Sequence, residues 1–307
     1  MDCLVLGGAG FLGSHAVRAL LREGYSVRVF DREGCDLRNL SGMLPRVELA
    51  LGDFCDEMQL GKALKGVQTV LHLVGTTVAQ SSNENPVYDI ESNVIPTVRF
   101  LSLAVKEGIR RVVFSSSGGT VYGIPKTIPI PETHPTEPIC AYGISKLAIE
   151  KYLALYARLY GLDYVILRFS NPFGEGAHTL GLQGVINVSL RRIRQGRPVE
   201  IWGDGTVVRD YIYAGDIGES FLKALQTPSA NDLFNIGSGK GRSLRDIVES
   251  FREVLGLDPE VVYTPGRPFD VPCNILDIRK AADVLGWRPT TPFEEGLRRT
   301  WEWVKRT

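Results

Sequence analysis

The sequence predicts an α/β fold: a doubly wound parallel sheet followed by a smaller C-terminal α+β lobe. Three observations point there. Continuous apolar runs alternate with segments of helical period up to residue 170. A glycine-rich turn joins the first such run to the first helical segment. Beyond residue 170 glycine and proline become frequent, as in "NPFGEG", "QGRPVEIWGDG" and "TPGRPFDVP".

The elements follow in order. "DCLVLG" (2–7) is an unbroken apolar run, the pattern of a strand buried on both faces. "FLGSHAVRALLREG" (11–24) has helical period and stops at Gly24, a C-cap signal. "SVRVFD" (26–31), "VELALGD" (47–53), "TVLHLVG" (69–75), "RVVFSSS" (111–117) and "DYVILRFS" (163–170) read as further strands. Helices are expected between them at 56–65, 92–107 and 142–160. Strands alternating with helices imply right-handed crossovers and a parallel sheet. The second lobe should carry helices at 183–195, 216–226, 243–255, 279–285 and 293–304. "DLFNIGSG" (232–239) reads as a strand returning to the first domain. The expected division is 1–170 and 171–307, with 207–236 rejoining the first domain or its border.

Composition excludes several classes. The chain has 307 residues, 44% hydrophobic and 23% charged, the profile of a globular protein with a sizeable core. Lysine plus arginine and aspartate plus glutamate stand at 35 each, so no basic surplus points to nucleic acid or an acidic membrane surface. No apolar run approaches the ~18 residues that span a bilayer. The five cysteines, Cys3, Cys35, Cys55, Cys140 and Cys273, show no metal-ligand spacing. Reduced thiols, no metal, no signal peptide and a cytoplasmic location are expected.

"GGAGFLG" (7–13) lies between the first strand and the first helix, with Gly7, Gly10 and Gly13 spaced G-x-x-G-x-x-G. Such glycines let the backbone turn tightly and approach a pyrophosphate, which the helix N-terminus then holds with N–H donors. Asp31 ends the second strand, where a carboxylate accepts hydrogen bonds from the adenosine ribose and repels a 2′-phosphate. The pattern predicts a Rossmann-type NAD site. Arg32 beside it is the one residue that could instead hold a phosphate. Asp53 ends the third strand, near the expected adenine.

Tyr142 and Lys146 in "CAYGISKLAIEKYL" are four apart, hence on one helical face. A nearby ammonium should favour the phenolate and make Tyr142 a general base.

With "GGAGFLG", "GDFCD", "LHLVG", "ESNVIPT", "SSSGGTVYG", "YGISK", "RFSNPFG", "GDGTVVRDYIY" and "FNIGSG", the chain resembles the extended short-chain dehydrogenase/reductases, in particular their NAD-dependent sugar epimerase/dehydratase group. The resemblance covers nearly the whole chain. It implies that Tyr142, Lys146 and an upstream hydroxyl are catalytic. Ser117, 25 residues before Tyr142, is the expected hydroxyl and Ser116 its alternative. Thr120 is a weaker substitute. It also implies cofactor contacts from Gly7, Gly10, Phe11, Leu12, Gly13, Asp31, Arg32, Asp53, Phe54, Leu73, Val74, Gly75, Asn93 and Ser115, besides Tyr142 and Lys146. Ser115 should in addition satisfy backbone groups at the strand end. Substrate contacts fall on Ser117, Tyr142, Asn171, Arg209, Arg267, Asp270 and Asn274. His72 reads as a core histidine.

Sugar dehydratases of this group carry an acid just before "VYG"; here Gly118, Gly119 and Thr120 stand there. Epimerases that also reduce use an extra cysteine and histidine, for which only Cys140 and His178 offer themselves. The resemblance therefore implies a UDP-sugar 4-epimerase with tightly held NAD, acting as a homodimer. A small residue at 274, where a bulky tyrosine restricts relatives to plain hexoses, implies that UDP-GlcNAc and UDP-GalNAc are turned over besides UDP-Glc and UDP-Gal. The alternatives are another nucleotide-sugar oxidoreductase or dehydratase, and a non-catalytic NAD-binding regulatory protein.

Overall fold

A computed structural model describes residues 1–177, 184–266 and 270–307. In chain order the elements are β1 (Cys3–Leu6), α1 (Phe11–Arg22), β2 (Val27–Asp31), β3 (Val47–Leu51), α2 (Glu57–Leu64), β4 (Thr69–His72), α3 (Ala79–Glu84), α4 (Pro86–Asp89), α5 (Ile95–Lys106), β5 (Arg111–Ser117), α6 (Ala141–Tyr160), β6 (Asp163–Phe169), β7 (Asn171–Phe173), α7 (Val185–Arg194), β8 (Val199–Trp202), β9 (Val208–Tyr213), α8 (Ala214–Gln226), β10 (Asp232–Ile236), β11 (Gly241–Ser243), α9 (Leu244–Leu255), β12 (Val261–Thr264), β13 (Cys273–Asn274), α10 (Arg279–Val284) and α11 (Phe293–Arg306).

Seven strands form one sheet in the order β10-β6-β5-β4-β1-β2-β3, every neighbour parallel. Side chains of a strand alternate between its faces. Cys3 and Val5 of β1 accordingly pack with Ala16, Val17 and Leu20 of α1 and Phe221 of α8. Leu4 and Leu6 pack with Leu60 of α2, Phe100 of α5 and Ile149 of α6. Covering both faces is what makes β1 apolar throughout, as the sequence suggested. A second sheet runs β11-β9-β13, with β7 also on β9. Its core is built from Phe173, Leu190, Tyr211, Phe251 and Leu297. β8 and β12 pair separately.

Several elements depart from those expected, among them the short strands β7, β8, β12 and β13, the helix α4 and the two stretches that follow. The helix expected over 92–107 begins at Ile95, and a π-helical turn, Ile90–Val94, joins it to α4. Pro96 explains the start, since proline is accommodated in a first turn but not in a helix interior. α3, "AQSSNE", lacks apolar periodicity and was not expected as a helix.

Two buried carboxylates organise the interior. Glu150 of α6 and Arg168 of β6, 4% and 3% exposed, form an ion pair of 2.6 Å. Ser116 Oγ donates to Glu150 at 2.5 Å. The Arg168 guanidinium also lies 4.8 Å from the Tyr122 ring centre. Asp210 of β9 accepts from Ser238 N and Oγ, both at 2.7 Å, from Gly239 N at 3.1 Å and from Leu276 N at 3.3 Å.

Deleting one member of a buried pair strands the other's charge. Glu150→Ala should therefore cost about 3–5 kcal/mol in urea denaturation. A loss under about 1 kcal/mol, the scale of a surface pair, would show that Arg168 has another partner.

Candidate active site

The site lies at the C-terminal ends of the sheet strands, where doubly wound folds bind ligands. Its first part is the turn after β1. Gly7 has φ +79°, and a Cβ there would stand 3.2 Å from the backbone of Leu73 and Val74 at the end of β4. A Cβ on Gly13 would stand 2.1 Å from the Gly7 oxygen. α1 begins without a side-chain cap, so its first-turn N–H groups remain for a ligand. At the end of β2, Asp31 Oδ2 accepts from Ala9 N at 2.9 Å and Oδ1 from Arg32 N at 2.9 Å. The Arg32 side chain points to an exposed position. A close-approach turn, an uncapped helix and a carboxylate beyond it fit a dinucleotide with free ribose hydroxyls.

Other residues expected here are more committed. Phe54 is buried, its ring centre 5.1 Å from that of His72, so its side chain fills the core and only its backbone is left for a cofactor. Phe11 packs edge-on against His15 at 5.9 Å, and Leu12 is half-buried against the core. Asp53 accepts from Cys55 N at 2.8 Å and thus caps its own loop. Gly75 is exposed. Asn93, on the π-helical turn, accepts from Thr76 N at 3.0 Å and donates to Thr76 Oγ1 at 2.9 Å, fixing the loop after Leu73–Gly75. His72 Nε2 donates to Thr97 Oγ1 at 2.9 Å, because that hydroxyl already donates to Asn93 O. Burial lowers His72 to about 3, so it stays a neutral core residue.

β5 and α6 meet beside this cradle. α6 opens at Cys140, which supplies no cap; Asn83 and Ser82 of α3 instead accept from Ala141 N at 2.8 Å and Tyr142 N at 3.0 Å. Tyr142 is half-buried and Lys146 is 7% exposed. Lys146 Nζ donates to Ser115 O at 2.9 Å and lies 5.6 Å from the Tyr142 ring centre. Burial lowers the ammonium to about 8, against the opposing pull of Asp89 and Glu150. Burial raises the Tyr142 phenol, and Cys140 and Asp89 add to the rise. The expected lowering of Tyr142 by Lys146 is thus not met in the protein alone. The cost of burying a phenolate outweighs a cation at this distance.

Strand alternation separates the serines. Ser116 is 4% exposed and bonded to Glu150, so it serves the buried ion pair. Ser115 and Ser117 alternate to the opposite face and are partly exposed, while Lys146 meets this strand through the Ser115 carbonyl and the Phe114 ring. Of the two candidate hydroxyls, that of Ser117 is on a partly exposed residue and that of Ser116 is committed to Glu150. Thr120 Oγ1 is buried and has no hydrogen-bond partner.

On the second lobe Arg209 and Asp270 come together at 3.6 Å, and Arg209 Nη1 also donates to Val271 O. Asn171 Nδ2 donates to Asp210 O at 3.1 Å. Asn274 has 0% exposure and donates to Gly118 O at 3.1 Å, while its Oδ1 is buried without a hydrogen-bond partner. Arg267 and His178 lie outside the described residues. Sequence reasoning missed Asp210 and Asp89; the signals were an acid inside the apolar strand "RDYIY" and an acid one helical turn before Asn93. Among the described residues no His/Cys/Asp/Glu group could hold a metal, no helix is long and apolar enough to cross a membrane, and the cysteines are free.

The model of the NAD dependent epimerase/dehydratase family matches residues 3–237, and the chain belongs to that family. It is 37% identical to the UDP-glucose 4-epimerase of Thermotoga maritima, solved with UDP-glucose, covering 100% of this chain and 99% of that one at TM-score 0.94. The Thermus thermophilus UDP-glucose 4-epimerase, solved with NAD, is 34% identical over 99% of each chain at TM-score 0.91. The UDP-N-acetylglucosamine 4-epimerase of Methanobrevibacter ruminantium is 29% identical over 100% of this chain and 99% of that one at TM-score 0.92. NAD is the cofactor of the family.

The loop after Ser117 makes a local forecast. A Cβ on Gly118 would stand 2.7 Å from Leu276 Cδ1 and 3.2 Å from Arg168 O, whereas one on Gly119 meets only Ser117 Oγ at 3.9 Å. Gly118→Ala should cost about 1–3 kcal/mol in thermal or urea unfolding, and Gly119→Ala under about 0.5 kcal/mol. Equal effects would contradict this packing.

Proposed function

We propose that this chain is a UDP-sugar 4-epimerase that keeps its NAD through turnover. Tyr142 takes the proton of the sugar 4-hydroxyl, and Ser117 Oγ donates a hydrogen bond to the same oxygen. Lys146, anchored on Ser115 O, keeps donors free for a cofactor ribose and places a cation beside Tyr142. When bound, NAD supplies the acceptor that takes hydride from carbon 4 and returns it. The 4-keto sugar turns over between the two transfers, and Tyr142 gives its proton back to the inverted alkoxide. Arg209, Arg267, Asp270 and Asn171 are the proposed holders of the diphosphate and sugar, a task suited to guanidinium groups.

The observation that carries this reading is the loop 118–120. It offers no acid beside Ser117, and Leu276 fills the space a side chain at 118 would need. The buried acids nearest the pair are engaged: Glu150 with Arg168, Asp89 with Thr77 and Ser145. Elimination of water would need a proton donor that these residues do not provide. Asn274 supports turnover of N-acetylated sugars, because a small buried side chain there brings no bulky ring to the position.

Incubation with UDP-Glc, UDP-Gal, UDP-GlcNAc and UDP-GalNAc, resolved by chromatography, tests the proposal. Interconversion within each pair without added cofactor is expected, and stoichiometric NADH would overturn it. Tyr142→Phe should lower kcat by ~10²–10⁴-fold with NAD still bound. Asn274→Tyr should lower the N-acetyl to plain-hexose ratio of kcat/KM by ~10-fold or more; an unchanged ratio would remove residue 274 from sugar selection.

A second copy of the chain is the proposed partner. Tyr152, Leu155 and Leu159 of α6 are 38%, 43% and 58% exposed, and Ile95 of α5 is 41% exposed. Leu155→Glu combined with Leu159→Glu should convert a dimer to a monomer in sedimentation; a wild-type protein that sediments as a monomer would refute the pairing.

A further inference from the structure

The catalytic helix is flanked by a buried acid that the proposed reaction does not use. Asp89, the last residue of α4, is 1% exposed. Its Oδ1 accepts from Thr77 Oγ1 and, at 3.2 Å, from Asn93 Nδ2; its Oδ2 accepts from Ser145 Oγ. These donors come from the loop after β4, the π-helical turn and α6. All are neutral. Among the described residues Asp89 forms no direct ion pair.

The charges around it give its role. Lys146 follows Ser145 on α6 and is itself buried. Its ammonium touches Ser115 O and the faces of Phe114 and Tyr142, at 4.8 and 5.6 Å from the ring centres. Two carboxylates flank it: Asp89, bonded to the adjacent Ser145 of α6, and Glu150, one turn further along that helix. Glu150 is already neutralised by Arg168 at 2.6 Å. His72 of β4 also feels Lys146 but is held neutral by burial. Cys140 and Tyr142 are the remaining titratable groups near Asp89. Once Glu150 is paired with Arg168, Asp89 is the anion left beside Lys146. A lone buried ammonium is costly, and it gives up its proton to escape the cost.

We propose that Asp89 is the buried counter-ion of Lys146 and a positioning residue for epimerisation: its charge keeps Lys146 cationic inside the protein, and its bond to Ser145 sets the turn of α6 that carries Tyr142 and Lys146. It acts through Lys146 and touches no substrate. The inference rests on the assignment of Tyr142 and Lys146 to the chemistry, which Tyr142→Phe tests separately.

Removing a negative charge makes every nearby group release its proton more readily. Asp89→Asn should therefore move the alkaline limb of the pH profile of kcat/KM, set by Lys146, toward acid by about one unit. Ser145→Ala, which keeps the charge, should leave that limb in place. A purely structural Asp89 would lower the plateau without moving the limb, and that result overturns the proposal. A second measurement needs no activity. If Asp89→Asn is poorly folded because Lys146 is stranded, adding Lys146→Met should raise Tm above that of Asp89→Asn alone, since removing both partners leaves no buried charge. A double variant no more stable than Asp89→Asn would show that the two charges are not coupled.

Discussion

The interaction on which the site depends is the buried pair of Glu150 and Arg168. It joins α6 to β6, next to the β10 edge of the sheet. The same carboxylate holds Ser116 of β5, so one charge fixes helix, strand and neighbouring strand. Arg168 stacks on Tyr122, whose hydroxyl donates to Asn235 of β10 at 2.7 Å. Asn235 in turn donates to Ile130 O at 2.8 Å, within the long connection between β5 and α6. The hydroxyl, phenol and ammonium proposed for the chemistry all hang on this frame. A buried charge tolerates little displacement, because any lengthening of its bonds is felt in a medium that screens poorly.

The frame also explains why three consecutive serines are not equivalent. A strand gives its middle serine to one face and its neighbours to the other. Ser116 faces the ion pair and is used up there. Ser115 contributes its carbonyl to Lys146, and Ser117 is partly exposed on the face opposite Ser116. The cofactor turn is brought against this edge by contact between Gly7 and the backbone of Leu73 and Val74, which only a residue without a Cβ permits at a φ of +79°.

Much of this was legible in the sequence because it is local. The strand, glycine turn and helix at 2–24, the acid ending β2 and the tyrosine and lysine one turn apart are written in neighbouring residues. The elements that escaped depend on distant partners. β7 and β13 are three and two residues long and exist only because β9 lies beside them. α3 has no apolar stripe; its Ser82 and Asn83 matter because they cap another helix 60 residues away. The choice between Ser116 and Ser117 needed knowledge of which face the ion pair occupies. Tyr142 was expected to be acidified by its lysine, but burial, which a sequence does not display, acts more strongly.

The two glycines after Ser117 differ in a way their identical letters conceal. At 118 the core has closed over the missing side chain, while at 119 the space is empty. The first atom of a side chain at 119 would meet only Ser117 Oγ, at 3.9 Å, and would leave Leu276 in place. The packing thus confines this loop's tolerance for change to a single position beside the serine, and shuts the neighbouring one.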